Sequence, residues 1–138
     1  MIIGVGVDIL CAARIEAIVR RGSRYTARFA RRILSSDEIN YFQYRVASSE
    51  EEAQVRYLAL RWCLKEAIYK ATYPHQILRW SDVHIFKRGS KPEANVSWSQ
   101  SLAGAHTHIS FSHDQGMMVG YAVVEADKMP YSNSEYKK

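Results

Sequence analysis

The stretch between Ser49 and Tyr73 constrains this chain more than any other, because it holds the longest helical pattern and contains neither glycine nor proline before Pro74. Ser49 stands three residues before Glu52, which predicts a capping box and a helix start there. The residue before a proline disfavours helical geometry, so the helix is expected to stop before Tyr73-Pro74. Ala53, Tyr57, Leu60, Leu64, Ala67, Ile68 and Ala71 fall three or four apart and form one apolar stripe, the pattern of a helix lying on a core. Glu66 borders that stripe. Trp62, Glu66 and Lys70 make one row at i and i+4 spacing, and Arg61 and Lys65 make the row beside it. A carboxylate between cations is expected to keep a low pKa and to suit metal ligation better than proton donation. The same spacing also fits a solvated set of helix ion pairs.

With 138 residues, 47% of them hydrophobic, and no apolar run long enough to cross a bilayer, the chain is expected to form one soluble domain with a real core. Cys11 and Cys63 lie in apolar segments and no secretory signal is seen, so both are read as reduced, buried thiols, and no zinc site is indicated. No amphipathic presequence precedes the first strand, which points to the cytoplasm, with the mitochondrion open for a eukaryotic source. The formal charge of +5 is unevenly spread: residues 14 to 32 carry seven arginines against one acid, Glu16, while the rest holds 12 basic and 13 acidic residues. Clustered arginine implies an anionic partner, whether nucleic acid, a membrane surface or an acidic protein face.

In chain order, Met1 to Val7 reads as a buried strand with Asp8 after it, where the default role of an aspartate is a turn or a helix cap. Gly4 and Gly6 do not make a dinucleotide loop, because the third glycine is missing and both lie inside the strand. Residues 12 to 21 read as a helix closed by Gly22, with Ile15, Ile18 and Val19 inward. A second helix starts at Ser23 with Tyr25 and Phe29 inward, and Ser35 to Glu38 cap a third through Tyr44. After Pro74 the period changes: Val83 and Ile85, then Ala94, Val96 and Trp98, alternate as strands around the turn Lys87 to Pro92. Residues 106 to 113 and 117 to 124 read as a hairpin through Asp114-Gln115-Gly116. Residues 1 to 127 thus form the domain, and 128 to 138 a polar tail expected to fray.

Three separated pieces, Gly4-Val5-Gly6-Val7-Asp8-Ile9, Arg61-Trp62-Cys63-Leu64-Lys65-Glu66-Ala67 with Lys70-Ala71, and Ser110-Phe111-Ser112-His113-Asp114, stand in this order with Gly89-Ser90-Lys91-Pro92 between the last two. Together they resemble the holo-[acyl-carrier-protein] synthases, the small type of 4′-phosphopantetheinyl transferase. The resemblance runs from Ile2 to about Glu125. It implies an α+β fold, a single small domain with an antiparallel sheet packed on a long central helix. It also implies transfer of the phosphopantetheine arm of coenzyme A to a carrier-protein serine, releasing adenosine 3′,5′-bisphosphate.

The resemblance further implies roles residue by residue. Asp8 and Glu66 match the Mg²⁺ carboxylates, and Lys65 matches the phosphate-binding lysine, so these three are the expected catalytic set. Arg61, Lys91, Pro92, Ser112 and His113 match positions that meet coenzyme A. Arg14, Arg21 and Arg24 match arginines that meet an acidic acyl carrier protein, and a homotrimer is implied, with neither nucleic acid nor membrane as partner. For the base that takes the serine proton, Glu66 and a metal-bound water both remain. The reading from the residues alone keeps a competitor: an arginine-rich module for nucleic acid or another polyanion, which has no need for Asp8, Lys65, Glu66 and His113.

Overall fold

The computed structural model describes residues 1–128; the expected frayed tail falls outside the described residues apart from Lys128. The chain runs β1 (Ile2–Cys11), α1 (Ala13–Val19), α2 (Ser23–Ile33), α3 (Ser36–Tyr41), a π turn (Phe42–Val46) and α4 (Glu51–Thr72). A short 3₁₀ turn then leads into β2 (Val83–Arg88) and β3 (Lys91–Val96), and another precedes β4 (His106–Asp114) and β5 (Met117–Glu125). One antiparallel sheet has the order β1-β5-β4, and β2 and β3 form a separate hairpin whose open edge lies beside β4. This is the expected α+β architecture, with the helix at its centre.

Strand alternation decides which side chains meet that helix. Gly4, Gly6, Asp8 and Leu10 share one face of β1, and Val5, Val7 and Ile9 share the other. The first face packs on α4, and closely. A Cβ built on Gly6 would stand 2.0 Å from the Ala67 carbonyl oxygen, and one on Gly4 only 1.8 Å from that of Ala71. Gly120 on β5 is also tight, 2.8 Å from the Cys63 carbonyl oxygen. Three glycines therefore let the helix backbone lie directly on the sheet.

α4 is wrapped on more sides than a single stripe allows. Its buried residues are Val55, Leu58, Ala59, Cys63, Leu64, Lys65, Ala67, Ile68, Ala71 and Thr72. The sheet covers one side, and α1 to α3 with the β2–β3 hairpin cover others. Ala53 is exposed, and Tyr57 and Leu60 are half-buried, so the inward face is turned from the expected stripe. Leu58, Leu64 and Ile68 are fully buried, each worth about 1.5–3 kcal/mol relative to exposure. Among the described residues no helix is long and apolar enough to cross a membrane.

Local expectations are corrected in five places. The Ser49 hydroxyl donates to the Val46 carbonyl at 2.6 Å and stays in the preceding turn, so α4 begins at Glu51 after Glu50. Gly22, at φ 109°, precedes α2 rather than capping α1, whose last residue is Val19. Tyr25 is exposed under the Arg21 guanidinium, 4.1 Å from its ring centre, because Thr26, Ala30 and Ile33 take the inward face of α2. Cys11 is exposed, since alternation after the buried Leu10 turns it outward; only Cys63 is the buried thiol, pushed up to about 12 by burial and the nearby Asp8. Trp98 lies beyond the end of β3. The Ser35–Glu38 capping box is present as expected.

Candidate active site

Asp8 is not a cap after a strand but the eighth residue of the chain inside a strand that continues to Cys11, on the face turned to α4. Its carboxylate is 15% exposed. Its Oδ1 accepts a hydrogen bond from Lys70 Nζ at 2.8 Å, and that ammonium also donates to the Val7 carbonyl at 3.0 Å. Glu66 stands one turn before Lys70 on α4 and is half-buried. Its pKa is raised, first by burial, then by the negative charge of Asp8, with Lys70 pulling the other way. The low pKa expected for Glu66 is thus reversed: the nearby acid and the loss of water outweigh the cations on its own helix.

Two carboxylates from unlike elements therefore share one small region beside a single ammonium. Among the described residues no group of three or more metal-ligating side chains occurs. The donor set fits a hard divalent ion that takes one or two carboxylates and fills the rest with phosphate oxygens and water.

Lys65 goes elsewhere. It is 3% exposed, and its Nζ donates to Glu38 Oε2 at 2.6 Å, to the Ile33 carbonyl at 2.8 Å and to the Trp80 carbonyl at 3.0 Å. All three of its donors are engaged inside the protein, which corrects the expectation of a free phosphate-binding ammonium. Burial lowers its pKa, and Glu38 opposes that. Glu38, itself 1% exposed, also accepts from the backbone N–H of Ser35 at 2.7 Å and of Ile85 at 2.9 Å. Arg61 joins this knot, with Nε 3.3 Å from Glu38 Oε1 and its guanidinium 3.4 Å from the centre of the Tyr57 ring. It lines a cleft of about 420 Å³ with Tyr41, His84 and Lys87, to which neither Asp8 nor Glu66 contributes. Five residues of α4 separate Lys65, held in the core, from Lys70, held at the acids.

On the sheet, register puts Asp8 beside Gly120 and Gly120 beside Phe111. His113 lies two residues farther along β4, paired with Met118, which places it on the α4 side; its ring is tilted 6.0 Å from Phe111. Ser112 alternates to the opposite face. Lys91 and Pro92 open β3 and line a polar groove of about 690 Å³ with residues 105–109. Arg14, Arg21 and Arg24 are all exposed on α1 and around α2. Arg20 is neutralised by Glu16 and Glu51, which are both within ion-pair reach. Asp8, Glu66 and Lys70 thus come together, His113 shares the α4 side of the sheet from β4, and Lys65, Arg61, Lys91 and Pro92 do not join them.

The family model described as the 4′-phosphopantetheinyl transferase superfamily matches residues 4–125, spanning β1, α4 and β4–β5 alike. The chain belongs to that superfamily. A holo-[acyl-carrier-protein] synthase of Methylibium petroleiphilum is 32% identical over 137 residues, covering 93% of this chain and 99% of the relative. Among solved structures, holo-[acyl-carrier-protein] synthase from Neisseria meningitidis aligns with a TM-score of 0.71 at 27% identity, covering 91% of this chain and 99% of that one. The Bacillus anthracis synthase, solved in complex with coenzyme A (3′,5′-ADP), aligns with a TM-score of 0.70 at 25% identity, over 91% and 98%.

Against this transferase background, two residues stand out that reasoning from sequence passed over. Lys70 stands in the sequence in an i, i+4 row and in the second motif piece, with no role attached to it, and its partner Asp8 is 62 residues away. Glu38 was visible as half of a capping box, a local signature that says nothing of the buried lysine it also holds.

Proposed function

We propose that this chain transfers the 4′-phosphopantetheine group of coenzyme A to a serine hydroxyl of an apo acyl carrier protein. The observation that carries this reading is the convergence of Asp8 and Glu66, from β1 and α4, beside Lys70. In the transfer a new bond forms between the serine oxygen and the phosphorus that bears the pantetheine arm. The anhydride bond to the second phosphate breaks, adenosine 3′,5′-bisphosphate leaves, and the serine proton passes to a base. Asp8 and Glu66 would hold Mg²⁺, which when bound neutralises charge on the pyrophosphate. Lys70 keeps Asp8 oriented and offers a point charge to the same phosphates. Lys65 takes no phosphate in this reading; it anchors α4 through Glu38.

The groove at Lys91 and Pro92, with Ser112 and His113 along β4, is the proposed meeting place for the nucleotide half, and Arg61 borders a separate cleft. Arg14, Arg21 and Arg24 offer exposed charge to an acidic carrier protein, an interaction that steers encounter and weakens with salt. Self-association also belongs to the reading. Val5, Val7 and Ile9 are 52%, 54% and 63% exposed on the outer face of β1, next to Tyr121 at 42%, an apolar patch of the kind that marks an interface. The family resemblance supplies the number three for that assembly, and sedimentation equilibrium checks it.

The direct test incubates the purified chain with coenzyme A, Mg²⁺ and an apo acyl carrier protein, with and without chelator, and follows the carrier's mass. A chelator-sensitive gain of one phosphopantetheine is expected. No gain on several carriers by folded protein would overturn the proposal.

A further inference from the structure

Among the described residues the β2–β3 hairpin is hydrogen-bonded within itself and not to the main sheet: β2 pairs with β3, and neither pairs with β4. The outer edge of β2 lies against α3 and α4, and there Ile85 presents its backbone N–H and C=O. Glu38 Oε1 accepts from that N–H at 2.9 Å, and Arg61 Nη2 donates to that carbonyl at 3.4 Å. A carboxylate and a guanidinium thus stand where a neighbouring strand would. We infer that Glu38 is a positioning residue: its carboxylate sets the hairpin against α4, and thereby the width of the groove between β3 and β4. The inference rests on the function proposed above, which brings the nucleotide half of coenzyme A to that groove.

Burial and bonding explain why this task falls to Glu38. At 1% exposure it can meet no substrate, so any effect it has on binding passes through the groups it holds. Its other oxygen accepts from Lys65 Nζ at 2.6 Å and from the Ser35 N–H at 2.7 Å, and Lys65 reaches on to the carbonyls of Ile33 and Trp80. One carboxylate therefore ties the end of α2, the start of α3, α4, the approach to β2 and β2 itself, through bonds that its charge strengthens. The other holds on the hairpin are less directional. Buried Val83 and Ile85 side chains fix its depth but not its tilt, and the Gln76 amide that meets Ser97 and Ser99 is exposed. Ala94 pairs with Ile85 across the hairpin and lines the groove, as do Lys91 and Pro92 farther along β3. A tilt at Ile85 is thus carried straight to the groove wall.

Glu38→Asp keeps the charge beside Lys65 and draws the carboxylate back by one methylene. Amide exchange at Ile85 is expected to quicken about tenfold or more, and the KM for coenzyme A to rise roughly tenfold. The kcat and the KM for the carrier should stay within about twofold of wild type. A purely structural loss lowers the active fraction instead, so a fallen kcat with an unmoved KM for coenzyme A would overturn the inference. The route is tested by a cycle with Lys91→Ala on the far strand of the hairpin. Acting through the hairpin, the two substitutions overlap, and the double variant's KM is expected within about twofold of the worse single one; effects that multiply would also overturn the inference. Should circular dichroism show Glu38→Asp unfolded, Arg61→Lys takes its place in the same cycle, because it keeps a cation beside Glu38 and withdraws the bond to the Ile85 carbonyl. If the wild-type chain neither binds coenzyme A nor modifies a carrier, the proposed function itself fails and takes the inference with it.

Discussion

Gly6→Ala should separate two things that this fold holds together, the seat of α4 and the alignment of its acids. The new Cβ needs about 3.4 Å from the Ala67 carbonyl oxygen and finds 2.0 Å; it also finds the Ala71 nitrogen at 2.7 Å. Every obstructing atom is helix backbone, so no side chain can swing aside and strand or helix must shift bodily. Overpacking typically costs 1–3 kcal/mol, and rigid neighbours on this scale put Gly6→Ala at about 3 kcal/mol or more, a large part of a domain's 5–15. Asp8 is two residues beyond Gly6 and Glu66 is next to Ala67, so the same shift misaligns the carboxylates, and a displacement of about 1 Å can cost roughly 10²-fold in rate. Urea unfolding followed by tryptophan fluorescence, together with carrier modification, reads both effects. Gly116→Ala is the control: nothing lies within 4 Å of its Cβ, and its φ of 78° makes the expected cost about 1 kcal/mol. A Gly6→Ala protein as stable and active as wild type would refute direct packing of β1 on α4.

Further outcomes follow from the charged groups. Glu38→Gln leaves buried Lys65 without its counter-charge and should cost about 3–5 kcal/mol in urea unfolding, whereas an unchanged midpoint would mean that the Lys65–Glu38 pair is not formed. Because burial and Asp8 raise Glu66, protons compete for it above the ordinary carboxylate value of 4.5. Divalent-ion affinity, measured by calorimetry, should therefore weaken as pH falls toward that value; a flat profile between neutral pH and 4.5 would contradict it, and Glu66→Gln should flatten what remains. Arg14→Glu with Arg24→Glu should raise the KM for an acidic carrier and reduce its dependence on salt, while the KM for coenzyme A stays constant.

Much of the architecture was legible because strong local signals agreed with the final packing. The end of the long glycine-free helix before Tyr73, the Ser35 capping box and the hairpin at Asp114-Gln115-Gly116 all stand where the pattern puts them. Helix faces were harder to read. A stripe at three-and-four spacing assumes one covering layer, whereas α4 is covered by the sheet on one side and by helices and a hairpin on others, so polar Lys65 and Thr72 are buried and Ala53 is not.

The limits at the acidic pair have a different origin. Gly4, Gly6, Asp8 and Leu10 recur every second residue, and that period already places Asp8 on the glycine face that admits the helix; reading the strand as ended at Val7 hid it. No comparable signal distinguishes Lys65 from Lys70. Both are lysines on one helix with a carboxylate in reach, and only long-range partners divide them, Glu38 for the first and Asp8 for the second. Glu66 shows the same dependence. Its helix neighbours argue for a low pKa, while a carboxylate delivered by a strand 58 residues earlier, together with burial, reverses the sign. Motif spacing thus locates the acids, and tertiary packing assigns what each adjacent charge does: Lys65 fixes the helix in the core, and Lys70 pairs with Asp8 while staying half exposed.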